Sequence, residues 1–227
     1  MIEIKDLTMV YSGRAVLDNV NVSLSQGQIV GLLGENGSGK TTLIRILAGL
    51  ERNYQGDVDI CGNKPGRLTN DIVAYQPDHL PLDENLEIEE VCSIYSIFYE
   101  DFDLNKFYKL LNSFEISKEL KIKECSKGMK EKIQIALTLS RKAKIYILDE
   151  PMSGIDPKSR KIVLNTIIDN FDYQGLMIIS THLVLEVEKV LDRALFLDNG
   201  KLVVNESVDD IRENHHMGVE EYFTEVL

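Results

Sequence analysis

Eight consecutive residues have the composition of a loop that binds phosphate. The run Gly34-Glu35-Asn36-Gly37-Ser38-Gly39-Lys40-Thr41 matches the pattern G-x-x-x-x-G-K-[ST]. Glycines let backbone N–H groups surround a phosphate, and a helix that begins at such a loop directs its positive end toward the anion. The pattern therefore predicts a loop that holds the phosphates of a nucleotide.

The side chains at the end of this loop suit a nucleoside triphosphate. The Lys40 ammonium is predicted to bridge the β- and γ-phosphates, and the Thr41 hydroxyl to ligate Mg²⁺. Thr42 adds a hydroxyl for the α-phosphate. The predicted nucleotide contacts in this region are Gly34, Asn36, Gly37, Ser38, Gly39, Lys40, Thr41 and Thr42.

A pair of acidic residues follows an apolar run later in the chain. Residues 145–148 read Ile-Tyr-Ile-Leu, and Asp149 and Glu150 come next. Ligands bind at the carboxyl ends of parallel strands, so Asp149 is predicted to hold Mg²⁺ there. Side chains alternate along a strand, so Glu150 is predicted to turn toward an attacking water.

Alternating strands and helices are needed to position these groups. Apolar runs at residues 28–33, 145–148 and 176–180 predict strands buried on both faces. Helical spacing predicts helices at 41–48, 157–170 and 183–191. This alternation predicts an α/β fold whose mainly parallel sheet is covered on both sides.

The middle of the chain has a different pattern. Residues 87–99, 104–114 and 127–141 carry helical periodicity, and no strand-like run separates them. We interpret residues 80–142 as a helical lobe inserted into the α/β core, which comprises residues 1–79 and 143–227.

The motifs, in their order along the chain, resemble the ATPase subunit of ATP-binding-cassette (ABC) transporters. The resemblance rests on the phosphate loop, on Asp149-Glu150, and on the segment Cys125-Ser126-Lys127-Gly128-Met129. It also includes Ser153-Gly154-Ile155-Asp156, which looks like the family's loop across the dimer interface. It covers nearly the whole chain.

The resemblance assigns roles to further residues. It implies that Tyr11 stacks on adenine, that Gln76 touches Mg²⁺ or water, and that His182 contacts the γ-phosphate. It implies that Ser126 and Gly128 contact the γ-phosphate of a second subunit. The resemblance thus implies three catalytic residues, Lys40, Glu150 and His182. It implies three metal ligands, Thr41, Gln76 and Asp149.

The segment at residues 125–129 departs from the family's commonest form, Leu-Ser-Gly-Gly-Gln. Cys125, Lys127 and Met129 replace the leucine, the first glycine and the glutamine. The Ser-Lys-Gly-Met form resembles that of bacterial exporter ATPases. Lys127 either adds positive charge near the phosphates or points to solvent, and the sequence leaves both readings open.

The family resemblance implies one ABC ATPase domain over residues 1–227. Its fold is an α/β, P-loop (RecA-like) core with an N-terminal antiparallel β subdomain and an inserted helical lobe. It implies ATP and Mg²⁺ as ligands, and a homodimer or a heterodimer with a second ABC ATPase subunit. It also implies a separate transmembrane permease subunit, and hence a peripheral location on the cytoplasmic face of the plasma membrane.

Composition limits the alternative functions. A net charge of −12 disfavours binding to nucleic acid. Apolar stretches of about four to six residues are shorter than the roughly 20 that span a bilayer. The leading hypothesis is the energy-supplying subunit of an exporter. The alternatives are a cassette ATPase that acts on DNA or the ribosome, and a scaffold that binds ATP without hydrolysing it.

Overall fold

A computed structural model describes residues 1–78 and 82–227. The predicted boundary between core and lobe, at residues 79 and 80, lies outside the described residues. The described strands are β1 (Ile2–Tyr11), β2 (Arg14–Leu24), β3 (Gln28–Leu33), β4 (Gln55–Ile60), β5 (Val73–Gln76), β6 (Ile145–Asp149), β7 (Leu176–Thr181), β8 (Arg193–Asp198) and β9 (Lys201–Ser207). The described helices are α1 (Lys40–Leu47), α2 (Ile88–Phe98), α3 (Leu104–Ser113), α4 (Lys127–Leu139), α5 (Pro157–Asp169), α6 (Val184–Val187), α7 (Val208–His215) and α8 (Val219–Val226).

The central sheet has the strand order β5-β6-β7-β3-β8-β9. Neighbouring strands are parallel from β5 to β8, and β9 runs antiparallel to β8. Asn199 and Gly200, with φ of 43° and 81°, form the turn between β8 and β9. Positive φ at both positions matches the twist of a tight hairpin. The predicted, mainly parallel sheet is confirmed.

A second sheet contains the N-terminal strands. Its order is β2-β1-β4, and β1 pairs antiparallel with both neighbours. A tight turn at Ser12 and Gly13 joins β1 to β2. This is the expected antiparallel β subdomain.

The region between the two halves of the central sheet is helical in its described part. Helices α2, α3 and α4 lie within a turn of their predicted ranges. Ser126 begins α4 as its N-cap, and its hydroxyl accepts a hydrogen bond from the N–H of Met129.

One helix predicted in the C-terminal part needs correction, and one helix there was not predicted. The helix predicted at 183–191 is the single turn α6 followed by a 3₁₀ turn at Glu188–Val190. The carboxylate of Glu188 instead accepts a hydrogen bond from the N–H of Glu220, at the start of α8. Helix α7 was not predicted, because only Val208 and Ile211 of its residues are buried.

The central sheet separates two hydrophobic cores. On one face, Ile29 and Leu33 pack with the helices of residues 88–139 and with α5 and α8. On the other face, Val30 and Leu32 pack against α1 and the antiparallel sheet. Because side chains alternate along a strand, β3 contributes to both cores and is fixed from both sides.

Candidate nucleotide site

Four neighbouring strands end at one edge of the central sheet, and each is followed by or ends in a predicted site residue. These are Gln76 in β5, Asp149 in β6, His182 after β7 and Gly34 after β3. The strands are parallel, so their carboxyl ends meet at the same edge. Residues up to about 150 positions apart in sequence are thereby gathered into one site.

The loop between β3 and α1 leaves the first N–H groups of α1 uncapped. Gly39 is the N-cap residue, and no side chain caps the helix. Gly37 and Gly39 have φ of 85° and 112°, which favour glycine. A Cβ at Gly39 would lie 2.7 Å from the carbonyl oxygen of Val16. The loop is thus shaped to present backbone donors to an anion.

The Lys40 side chain is buried inside this loop. Its Nζ donates hydrogen bonds to the carbonyl oxygens of Gly34 and Glu35, at 2.8 and 3.0 Å. Burial lowers the pKa of the ammonium, and the carboxylates of Glu150 and Asp149 oppose this effect. The cation is therefore held at the centre of the loop, where a phosphate would meet it.

Asp149 is fully buried at the end of β6. Its Oδ1 accepts a hydrogen bond from Ser180 Oγ at 2.5 Å. Burial raises the pKa of this carboxyl, while the hydroxyls of Ser180 and Thr41 lower it. The carboxylate is thus fixed by Ser180 and lies near the Thr41 hydroxyl.

Several buried polar atoms of the site have no hydrogen-bond partner among the described residues. They are Ser38 Oγ, Gln76 Oε1 and Asp149 Oδ2. Unpartnered buried oxygens are costly unless a ligand satisfies them. Oxygens from Thr41, Gln76 and Asp149 are ligands that Mg²⁺ accepts, in combination with phosphate and water. The site residues therefore fit a magnesium nucleotide.

The Glu150 side chain connects Lys40 to His182. Its Oε1 lies 4.0 Å from Lys40 Nζ, and its Oε2 lies 3.0 Å from His182 Nδ1. The Glu150 backbone has a φ of 48°, and its N–H donates to the carbonyl oxygen of Ser180 at 3.0 Å. This left-handed turn directs the carboxylate of Glu150 back over the phosphate loop.

Tyr11 lies at the end of β1, with its ring partly exposed. Its hydroxyl donates a hydrogen bond to Glu51 Oε2 at 2.7 Å, which raises the pKa of the phenol. An exposed, oriented ring is available for stacking.

Ser126 and Gly128 lie at the N-terminus of α4. Among the described residues, no hydrogen bond or ion pair joins either of them to the phosphate loop. Gly128 instead packs against the loop at residues 153–156. A Cβ added at Gly128 would lie 3.3 Å from the carbonyl oxygen of Gly154. One chain thus brings together every predicted group of the sheet edge but leaves this segment apart.

The model of the family described as ABC transporter matches residues 17–153. The chain belongs to the ABC transporter family. It is 34% identical over 218 residues to an uncharacterised ABC transporter ATP-binding protein of Methanocaldococcus jannaschii, covering 92% of this chain and 79% of that one. It is 31% identical over 212 residues to the lantibiotic transport ATP-binding protein SrtF of Streptococcus pyogenes, covering 92% of each chain.

Solved structures confirm the α/β cassette fold. An ATP-binding subunit of an ABC transporter superposes with a TM-score of 0.85 at 28% identity, covering 99% of this chain and 98% of that one. A dimeric cassette bound to ADP and Pi superposes with a TM-score of 0.80 at 21% identity, covering 91% and 98%. The predicted class, an ATP-binding and ATP-hydrolysing ABC subunit, is confirmed.

The sequence alone did not predict the structural roles of two residues near the site. Ser180 orients Asp149, and Glu131 on α4 binds the loop at residues 153–156. The sequence carried two signals for these roles: the Ser180 hydroxyl follows an apolar run, and the Glu131 carboxylate comes four residues after Lys127.

None of the described helices combines the length and the apolar composition that a membrane span requires.

Proposed function

We propose that this ABC ATPase hydrolyses ATP at sites shared between two cassettes and thereby drives an exporter. The observation that carries the proposal is the meeting of Lys40, Asp149, Glu150 and His182 at one sheet edge. These groups match the requirements of phosphoryl transfer: a cation on the phosphates, a metal ligand and a carboxylate near the water. Ser126 and Gly128 would complete the site from the second cassette.

Nucleotide binding begins at the phosphate loop. The N–H groups of residues 34–42 and the positive end of α1 would surround the phosphates. Lys40 would exchange its two carbonyl partners for the β- and γ-phosphates, and Thr42 would reach the α-phosphate. The exposed ring of Tyr11 would stack on adenine.

Mg²⁺ would be held by the Thr41 hydroxyl, by Asp149 and by Gln76, directly or through water. When bound, the ion neutralises charge on the β- and γ-phosphate oxygens. Ser180 holds Asp149 so that its unpartnered Oδ2 remains available to the ion.

Hydrolysis would use Glu150 and His182 together. Glu150 would orient the attacking water and accept its proton, and the contact with His182 Nδ1 positions the carboxylate. The other side of the His182 ring, together with Lys40, would stabilise charge on the transferred phosphoryl group.

The membrane partner would dock beside the metal site, on the helical lobe at residues 80–142. A cavity of about 520 Å³ lies between α1, β5 and α2, with Thr41, Tyr75, Asp78, Tyr95 and Asp149 in its wall. Ile97 and Phe98, in the last turn of α2, are 78% and 77% exposed. An exposed apolar patch of this kind is typical of an interaction surface. The chain would then be a peripheral subunit on the cytoplasmic face of the plasma membrane.

The deciding experiment is a pull-down from detergent-solubilised host membranes with tagged Glu150→Gln, ATP and Mg²⁺. We expect a polypeptide with several apolar segments of about 20 residues to co-purify. A second, related cassette in the complex would establish a heterodimer, and its absence a homodimer. Recovery of ribosomes or DNA instead would contradict the transport function and favour the alternative predicted from the sequence.

A further inference from the structure

A buried carboxylate, Glu131, joins α4 to the loop at residues 153–156. Its Oε2 accepts a hydrogen bond from the N–H of Gly154 at 2.9 Å, and its Oε1 accepts one from Ser153 Oγ at 3.4 Å. Glu131 is 5% exposed, and its burial raises the pKa of the carboxyl. A buried carboxylate is tolerated only where donors satisfy it, and here the loop supplies two of them.

Lys127 covers the same loop from the first turn of α4. Its Nζ lies 3.9 Å from Glu131 Oε1. A Cβ at Gly154 would overlap Glu131 Oε1 and would lie 2.6 and 2.7 Å from Cε and Cδ of Lys127. The aliphatic part of Lys127 therefore lies directly on the Gly154 backbone, and a side chain at position 154 would have to displace Lys127 and Glu131.

The stability of α4 does not explain this lysine. A cation in the first helical turn opposes the helix dipole. The order lysine then glutamate at i and i+4 is also the less favourable one. The side chain of Lys127 is 74% exposed, so its ion pair contributes little by itself. Its contact with the loop is what the structure shows it to provide.

The loop held by these residues leads directly to Glu150. The N–H of Ser153 donates to the carbonyl oxygen of Glu150 at 3.2 Å. A continuous series of contacts thus runs from α4, through Glu131 and Ser153, to the residue proposed to orient water. Ser126 and Gly128 lie at the other end of this series.

We propose that Lys127 and Glu131 are positioning residues that hold the loop at 153–156 against the segment at 126–128. Both segments then meet the second cassette as one preformed surface. This inference rests on the proposed ATP-driven dimer. It also assigns a role to Lys127: its ammonium is directed to Glu131, and its stem fixes Gly154.

The test measures ATP-dependent dimerisation by analytical ultracentrifugation, in full-length chains that carry Glu150→Gln. We expect Glu131→Ala to raise the dissociation constant of the ATP-bound dimer about tenfold, because the N–H of Gly154 loses its hydrogen-bond acceptor. Glu131→Gln keeps an acceptor oxygen and should stay within about threefold of the parent. The affinity of the monomer for a fluorescent ATP analogue should not change in either variant.

A second pair of variants separates the two parts of the Lys127 side chain. Lys127→Met keeps an apolar stem over Gly154 and should dimerise like the parent, whereas Lys127→Ala should dimerise less tightly. Glu84→Ala is the matched control. The Glu84 carboxylate pairs with Lys130 Nζ, also on α4, at 2.9 Å, and among the described residues it has no hydrogen bond to the loop at residues 153–156. We expect this control to dimerise like the parent.

The outcomes distinguish this inference from the proposed function. If the Glu150→Gln parent stays monomeric with ATP and Mg²⁺, a site shared between two copies of this chain, on which the inference rests, is wrong. If the parent dimerises and both Glu131→Ala and Lys127→Ala dimerise equally well, the positioning role is wrong. A loss of monomer ATP affinity that equals the loss of dimerisation would make Glu131 a general structural residue and would also overturn the inference.

Discussion

At the scale of residues, Asp149 and Glu150 are neighbours with opposite surroundings. Asp149 is the last residue of β6 and is fully buried, with one oxygen bound by Ser180. Glu150 follows in a left-handed turn and reaches out to Lys40 and His182. The end of the strand falls between them, and this separates the proposed metal ligand from the proposed base.

Glu150→Gln should reduce steady-state phosphate release by at least about 100-fold, because an amide of the same size cannot accept a proton. ATP affinity should remain within about threefold, since the phosphate loop is unchanged. The measurement is phosphate release at saturating ATP and Mg²⁺. Glu186→Gln, which removes a partly exposed carboxylate paired with Arg160, serves as the control. Near-normal hydrolysis in Glu150→Gln would refute the role.

Lys40→Ala should weaken ATP binding at least tenfold, because the loop loses the buried cation that we propose for the phosphates. Fluorescence titration with an ATP analogue at fixed Mg²⁺ measures the change. Lys201→Ala removes an exposed lysine that pairs with Asp18 and should bind normally. An unchanged dissociation constant for Lys40→Ala would exclude it from the phosphate site.

At the scale of elements, the phosphate loop depends on a backbone that only glycine adopts cheaply. Gly39 combines a φ of 112° with a close approach to Val16, in the turn that begins α1. Gly62 has a φ of 85°, but a Cβ added there would meet no atom within 4 Å among the described residues. A substitution at Gly62 therefore tests the cost of the left-handed backbone alone, whereas one at Gly39 adds a steric overlap.

Gly62→Ala should cost about 1 kcal/mol of unfolding free energy, from the left-handed backbone alone. Gly39→Ala should cost more, since the Cβ must also displace the backbone of Val16, and it should weaken ATP binding as well. Urea denaturation measures the first effect and nucleotide titration the second. Equal stability losses with full ATP binding in both variants would show that the loop tolerates a Cβ at position 39.

Local signals explain which elements could be predicted from the sequence. The strand β3, the glycine loop and α1 follow one another with an apolar run, a motif and helical spacing, and all three were predicted. Helix α7 has few apolar residues, and its start is marked by Ser207, whose hydroxyl caps the N–H of Asp210, and by the acidic Asp209 and Asp210 in its first turn. These were signals that the apolar periodicity did not use. Contacts such as Ser180 with Asp149 join residues 31 positions apart, for which no local pattern exists.

At the scale of the whole molecule, two of the proposed metal ligands and helix α2 line one cavity. Thr41 and Asp149 line it from the core, and Tyr95 and Tyr99 line it from α2 and its C-terminal end. A partner that occupies this cavity would contact both parts of the chain at once. If the helices move relative to the core when ATP binds, the surface that this partner contacts would therefore change.

Ile97→Asp and Phe98→Asp should abolish co-purification of the membrane subunit, because each places a charge in an exposed apolar face. ATP binding by the isolated chain should not change, since neither residue lines the phosphate loop. Ile162→Asp on α5, also at an exposed isoleucine, is the control and should still co-purify. Retention of the partner by both α2 variants would place the docking surface elsewhere.

The position of β3 between two cores has a consequence for amide hydrogen exchange. Its N–H groups bond to strands on both sides and are covered on both faces, so they should exchange deuterium only when the whole molecule unfolds. The loop at residues 34–39 follows β3 directly and should exchange faster than the strand. Protection that appears in this loop when nucleotide is added would therefore report binding, while the exchange of β3 itself stays unchanged.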